Sequence, residues 1–431
     1  MVDAVAARSA NRVPGLRAAC VAATLVVGIA GAPQATALTP APGNPTVLLS
    51  AADGGPLAGS GIALIMGPSM IPTPSQEFAE TVEELYLSPH GFAGELEVLT
   101  TPAETYLLDQ SLTKGAQILT DRVLELIELG EADGDHPVTV FGYSQSAALT
   151  TLAMQQLAEA DVPSSAVHFV LIGNSANPNG GLMVGFENMP EVVEAMGQSY
   201  VTLGNPTPSG LYPTSIYTLE YDGYADFPRY LSNVFADLNA VMGMATQHIA
   251  YLGLTPDQIE GAILLDTDPD SLVSSYMIRS EYLPLLYPLL FVPVTGKPMY
   301  DLMEPTMRIL VNLGYGSIEN GWNEGSPDEP TLFTMEQPNI DWNEVNAALA
   351  VAAQTGWNAF VADILDPATY QVVDVIDNPA LATLLASGAS VGLSESDDVQ
   401  DMLNGLTSLM WEALVGRYMN AEYWENWEPP S

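Results

Sequence analysis

Ser144 is the first residue whose setting could do chemistry. It stands in "TVFGYSQSAALT" (139–150), where a short apolar run meets an alanine-rich one. A serine hydroxyl is a poor nucleophile until a base takes its proton and an acid holds that base in one tautomer. The stretch fits the strand–turn–helix pattern G-x-S-x-G, the nucleophile elbow, with Ser146 in place of the last glycine. Such a turn projects Oγ beyond the sheet edge and makes the backbone N–H of Gln145 an oxyanion donor. Short patterns of this kind also arise by chance in ordinary strand-to-helix turns, so the base and the acid have to be found independently.

The chain has only four histidines, His90, His136, His168 and His248. In an elbow protein of this type the histidine follows both the serine and the acid in chain order. His90 and His136 precede Ser144, and His136 opens the nucleophile strand at the end remote from the elbow. His168 lies early in the next apolar strand, also far from the carboxyl edge. His248 is left as the base. "EYDGYADFP" supplies the acid: Asp222 follows directly on a predicted strand, where such a carboxylate projects, and Asp226 in the loop is the alternative. Asp237 reads as part of a solvated helix face. A second oxyanion donor is expected from the loop after an early strand, where "MGPSM" places Ser69, through its N–H or its hydroxyl.

These residues need a sheet edge to present them. "GIALIMGPSM" (61–70), "PVTVFG", "AVHFVLIGN" (166–174) and "TSIYTLEY" (214–221) read as strands. Helices are predicted over 75–87 with Ser75 as N-cap, over 110–129 and over 145–160. Leu112, Ala116, Leu119, Val123 and Leu126 keep helical spacing on one face of the second of these. Another helix carries Leu231, Val234, Phe235, Leu238, Val241 and Met242 on one face, with His248 just beyond it. The alternation of strand and helix predicts an α/β fold of the α/β-hydrolase type, a mainly parallel sheet flanked by helices. Residues 255–316 are mixed. The segment "SIENGWNEGSPDEP" reads as a polar linker, followed by helical stretches at 341–365 and 398–419, the latter with Val399, Leu403, Leu406 and Met410 in register. The expected division is 1–37 signal peptide, 38–60 exposed leader, 61–316 catalytic domain and 317–431 linker with a helical C-terminal extension.

The N-terminal segment carries Arg8, Arg12 and Arg17 before the apolar "AACVAATLVVGIAG" and a small-residue site at Ala35-Thr36-Ala37. That is the pattern of a cleaved export signal, and the apolar run falls short of the ~20 residues a spanning helix needs. The single cysteine, Cys20, lies inside it, so a processed chain has no thiol chemistry and no cysteine metal site. Processing lowers Lys+Arg from 10 to 7 and Asp+Glu from 52 to 51, a formal charge of −44. Seven scattered cations cannot build a nucleic-acid surface, and repulsion from anionic headgroups opposes electrostatic membrane docking. No histidine pair falls at i, i+4, no H-E-x-x-H occurs, and no glycine-rich phosphate motif is present, so neither a metal nor another cofactor is expected.

Seven ordered blocks then carry a resemblance. "GPSMIPTPSQEFAETVEELYL", "GYSQSA", "LIGNSANPNGGL", "YTLEYDGYADFP", "ADLNAVMG", "YMIRSEYLPLL" and "LVNLGYG", over about 62–316, are similar to the PE-PPE domain of mycobacteria and related actinobacteria. That family is a cutinase-like group of serine α/β-hydrolases and accepts Gly or Ser at the last elbow position. The resemblance implies that Ser144 is the nucleophile, that the Asp222 region supplies the acid and that His248 is the base. It also implies an esterase or lipase acting on acyl esters, with acyl transfer onto trehalose-type envelope glycolipids as the alternative and a non-catalytic envelope-binding protein as a second one. An export signal stands here where many members carry a PE or PPE helical module. The implied partner is an acyl-ester or lipid substrate, met in the secreted space or at the cell envelope. The aromatic stretch 282–293 and the Met-rich 299–307 are candidate walls for an acyl chain.

Overall fold

The computed structural model describes residues 55–105, 108–189, 204–371 and 378–390. The expected export signal, most of the expected leader and the predicted helix at 398–419 lie outside the described residues. Seven strands form one sheet: β1 (Ile62–Ile65), β2 (Glu95–Val98), β3 (Val138–Tyr143), β4 (Val167–Ile172), β5 (Thr214–Leu219), β6 (Ile263–Leu265) and β7 (Val273–Ile278). Their order is β2-β1-β3-β4-β5-β7-β6. Every pair is parallel except β6 with β7 at one edge. The sheet is therefore mainly parallel with helices on its faces, as the strand–helix alternation predicts. β6 and β7 lie in the segment that reads as mixed in sequence.

Strand periodicity sorts the core into two layers. Val138, Val140, Phe169, Leu171 and Ile216 face one side. There they meet Leu112, Ala116, Leu119 and Val123 of helix α2, whose predecessor α1 is Gln76–Val82 and which itself spans Leu108–Leu129. Ala147, Leu149 and Met154 of α3 (Gln145–Glu159) complete this layer. Phe141, Tyr143, Ile172, Tyr217 and Leu219 point to the other side, against Phe78, Val82 and Tyr86 of the α1 region. Successive side chains on a strand alternate in direction, so each of these central strands needs apolar residues at both parities. Ser75 caps α1, its Oγ accepting from the Phe78 N–H at 3.1 Å. The end of the expected leader departs from the sequence reading. Leu57 is fully buried in the second layer, its N–H donates to the His90 carbonyl, and Ser60 is buried, while Pro56, Ala58 and Gly59 are exposed, so this end of the leader is anchored at two residues.

Helix α4 (Val234–Thr246) departs further. Its large apolar residues Val234, Phe235, Leu238 and Val241 are exposed, and the small Ala236, Asn239, Ala240 and Gly243 are buried. The crossing with the loop after β5 is too tight for large side chains: a Cβ on Gly243 would lie 1.9 Å from the Tyr221 carbonyl oxygen, and one on Gly223 would lie 2.1 Å from that of Ala240. Backbone meets backbone there, and the smallest residues decide which face turns inward.

The described residues that follow 316 pack against the same body. In the expected linker, the Gly321 N–H donates to Glu220 and Asn323 bonds the Phe227 carbonyl, and just beyond it Phe333 is buried. Two further helices follow α5 (Gly296–Asn312): α6 (Trp342–Leu365) and α7 (Pro379–Ser390). α6 lies along α5, with Gly356 against the Leu302 carbonyl, and Val351 and Trp357 face outward. By length and composition α6 is apolar enough to cross a membrane. Tyr282, Leu283, Leu286 and Tyr300, from the stretches named as candidate acyl walls, pack with Tyr221 in a separate apolar cluster.

Candidate active site

The turn from β3 into α3 places Ser144 at the carboxyl edge of the sheet with φ 58° and ψ −114°. A non-glycine residue at positive φ is strained, and here the strain is what lifts Oγ clear of the strand. Gly142 is required by space: a Cβ would sit 2.8 Å from the Ser146 carbonyl oxygen and 2.9 Å from Ala147 Cα. Ser146, at the position of the missing glycine, does more than fit. Its Oγ accepts from the Tyr143 N–H at 2.8 Å, and its proton faces the carbonyls of Tyr143 and Met66 at 3.0 and 3.3 Å. This hydroxyl satisfies a buried backbone donor inside the elbow. Ser146→Ala leaves that N–H unpaired and is expected to lower stability by about 1–3 kcal/mol. A urea midpoint equal to that of the wild type would mean that the hydroxyl contributes nothing.

His248 Nε2 lies 2.8 Å from Ser144 Oγ, and its Nδ1 lies 2.9 Å from each oxygen of Asp222. A carboxylate only accepts, so the imidazole proton is assigned to Nδ1 and Nε2 is left to take the serine proton. Asp222 is fully buried, and its charge is met from several sides. The Tyr224 N–H donates to Oδ1 at 2.9 Å, and the Tyr251 hydroxyl donates to Oδ2 at 2.8 Å. Tyr251 in turn accepts from the Leu219 N–H, which ties the acid to the end of β5. The Tyr143 hydroxyl donates to the His248 carbonyl at 2.5 Å, so the residue before the nucleophile also anchors the base. Burial pushes the phenols of Tyr143 and Tyr251 well above their ordinary range, and the Asp222 charge adds to this. Both remain neutral donors. Tyr224 covers the imidazole with ring centroids 4.5 Å apart, and Gly173, at φ +56°, leaves room for His248 Cε1.

Asp226, the alternative acid, faces elsewhere. Its Oδ2 accepts from the Tyr221 N–H at 2.9 Å, and burial holds its carboxyl well above the usual carboxylate range. Behind the acid loop, buried Glu220 accepts from the Ser280 and Gly321 N–H groups and has Arg279 and Arg308 at 3.7 and 3.8 Å. Two of the chain's few cations are thus spent on holding this loop. The other histidines serve local structure. His90 meets the Tyr217 hydroxyl, His136 is exposed beside Asp133, and His168 faces Ser215 at 3.4 Å. Ser69 is tied to the elbow through the Gln145 side chain, whose Nε2 donates to Ser69 Oγ at 3.0 Å. Tyr143, Tyr224 and Tyr251 are the site residues that sequence reasoning missed. "GYSQ" and "DGY" place the first two beside the reacting residues, and nothing in the sequence flags their hydroxyl or ring contacts.

A parallel sheet with a strained serine at its carboxyl edge, bonded to a histidine that is bonded to a buried aspartate, defines an α/β protein of the elbow type. The chain belongs to the PE-PPE domain family, whose model matches residues 69–316. It is 39% identical over 314 residues to the uncharacterized PPE family protein PPE28 of Mycobacterium tuberculosis, covering 70% of this chain and 46% of that protein. It is 34% identical over 362 residues to Esterase PE16 of the same organism, covering 80% of this chain and 63% of that protein. The matched region thus spans about half to two thirds of these relatives' length. A solved cutinase-like protein from Cryptococcus sp. is a distant likeness, at 18% identity and a TM-score of 0.25 over 39% of this chain and 80% of that one.

Proposed function

We propose that this protein is an exported serine esterase that cleaves acyl esters through an acyl-enzyme at Ser144. One observation carries the reading: an unbroken relay from Ser144 Oγ to His248 Nε2 and from Nδ1 to Asp222, mounted on a strained elbow. Ser144 Oγ attacks the ester carbonyl while its proton passes to His248 Nε2. The imidazolium so formed keeps its Nδ1 proton and donates it in a hydrogen bond to Asp222, which has no other ion-pair partner among the described residues. Charge on the carbonyl oxygen is met by the Gln145 N–H at the start of α3 and by Ser69. His248 then returns the proton to the departing alcohol, and water repeats the sequence on the acyl-enzyme. Similarity to a protein named Esterase PE16 supports the reaction class. The basic, then apolar N-terminal segment supports export, and the formal charge of −42 favours a neutral or apolar substrate over a polyanion.

The test is covalent. A fluorophosphonate probe reacts with a serine only when its proton can be removed and the oxyanion held. The expected result is one adduct, mapped by peptide mass spectrometry to Ser144. An adduct on another serine, or none under conditions where the protein is folded, overturns the assignment.

A further inference from the structure

Gln145 enters the mechanism through its backbone N–H, yet its side chain is buried and fully committed. Oε1 accepts from the Ser111 hydroxyl at 2.7 Å, and Nε2 donates to the Glu104 carbonyl at 2.7 Å and to Ser69 Oγ at 3.0 Å. The directions are fixed by elimination. The Glu104 carbonyl can only accept, so the NH₂ end of the amide faces it and Oε1 faces Ser111. Ser111 Oγ already accepts from the Glu104 N–H at 3.1 Å, so its own proton goes to Gln145. Ser69 Oγ therefore accepts a hydrogen bond from Gln145. Among the described residues its oxygen appears only as an acceptor, which leaves its own O–H to point at something else.

We infer that the Gln145 side chain is a positioning residue that turns Ser69 into a one-way hydroxyl donor toward the oxyanion. This rests on the serine-esterase reading and deepens it. A lone hydroxyl rotates, and it could equally present a lone pair, which would repel a developing oxyanion. Occupying that lone pair from Gln145 selects the donating rotamer before substrate arrives, and it polarises the O–H in the right sense. The anchor chain is short: Glu104 holds Ser111, Ser111 holds the amide, and the amide holds Ser69. The Ser69 loop is fixed independently, since the Met70 N–H donates to the Ala103 carbonyl at 2.5 Å and both residues sit at positive φ. One residue thereby governs both donors, one through its main chain and one through its side chain.

A kinetic cycle on a p-nitrophenyl acyl ester tests this with Ser69→Ala, Gln145→Met and the double variant. Methionine keeps the length and helix preference of glutamine and removes both hydrogen-bonding ends. Ser69→Ala is expected to lower kcat by about 10²-fold with KM nearly unchanged, as for loss of one oxyanion donor. Gln145→Met should cost about tenfold in the wild-type background and less than about twofold once Ser69 is absent, because nothing remains for it to orient. A merely structural glutamine would cost the same factor in both backgrounds, and that additive outcome overturns the inference. If Gln145→Met does not fold, Ser111→Ala, which frees the amide but keeps it, is carried through the same cycle with the same criterion. Fluorophosphonate labelling of each variant separates the two levels. Wild-type protein unlabelled at Ser144 sinks the nucleophile and this inference with it. Intact labelling with an additive cycle sinks only the inference.

Discussion

Asp222→Asn should lower ester turnover by about 10⁴-fold, the scale seen when an amide replaces the acid of such a relay and forces the wrong imidazole tautomer. The structure gives the reason locally. His248 Nδ1 is 2.9 Å from both carboxylate oxygens, so the proton on that nitrogen has an acceptor whichever oxygen it prefers. Tyr224 N–H and Tyr251 O–H occupy one oxygen each, and an amide NH₂ placed there would confront a donor on at least one side. Asp226→Asn, four residues on, should leave turnover within about threefold. Burial raises the pKa of its carboxyl and so disfavours the charged form, and an amide of the same shape can still accept the Tyr221 N–H. The sign of its stability effect follows. A carboxyl whose folded pKa is raised contributes stability below its unfolded value, about 3.9, and loses it as pH rises toward the folded value. Asp226→Asn removes that loss, so urea unfolding should find the variant more stable than wild type at pH 7, with the gap narrowing on acidification. An Asp226→Asn protein as inactive as Asp222→Asn would transfer the role of the acid.

Local chemistry made much of this site readable in advance. The elbow has a steric signature: glycine before the serine because a Cβ would strike the Ser146 carbonyl, and small residues where α3 crosses β3. Chain order and the scarcity of histidine then pointed to His248, and the residue directly after a strand end pointed to Asp222. The parallel sheet was legible because its central strands are short, apolar runs separated by helical periods. What escaped depends on tertiary approach. Ser146 looked like a tolerated defect and is a hydrogen-bonding member of the elbow. The Gln145 side chain reads as an ordinary first-turn residue until loops 67–70 and 101–105 close over it. Periodicity finds the apolar face of α4 because it ranks residues by hydrophobicity, and the structure turns Val234, Phe235, Leu238 and Val241 outward because the crossing selects by size. The polar segment after 316 reads as a linker by composition; instead the Asn323 side chain bonds the Phe227 carbonyl and the Arg229 N–H, and the Gly321 N–H meets the Glu220 carboxylate.

Gly243→Ala should damage both stability and catalysis, and the two losses have one origin. The added Cβ would stand 1.9 Å from the Tyr221 carbonyl oxygen, far inside van der Waals contact, and the obstructing atom belongs to the main chain. No rotamer change relieves it, so α4 and the loop carrying Asp222 must separate. The same Gly243 carbonyl accepts the N–H groups of Gln247 and His248 at 2.8 and 2.9 Å, which makes this turn the mount of the base. Moving it changes the His248–Asp222 distance directly, without touching either side chain. Overpacking of this kind typically costs 1–3 kcal/mol, read as a lower urea midpoint. A displacement of about 1 Å between reacting groups can cost about 10²-fold in turnover. Gly61→Ala is the control, because a Cβ there meets nothing within 4 Å. It should match wild type in both measurements. If Gly243→Ala retains wild-type kcat/KM while losing stability, the helix crossing does not set the base–acid distance, and the geometry of the pair must be fixed by Tyr143 and Tyr251 alone.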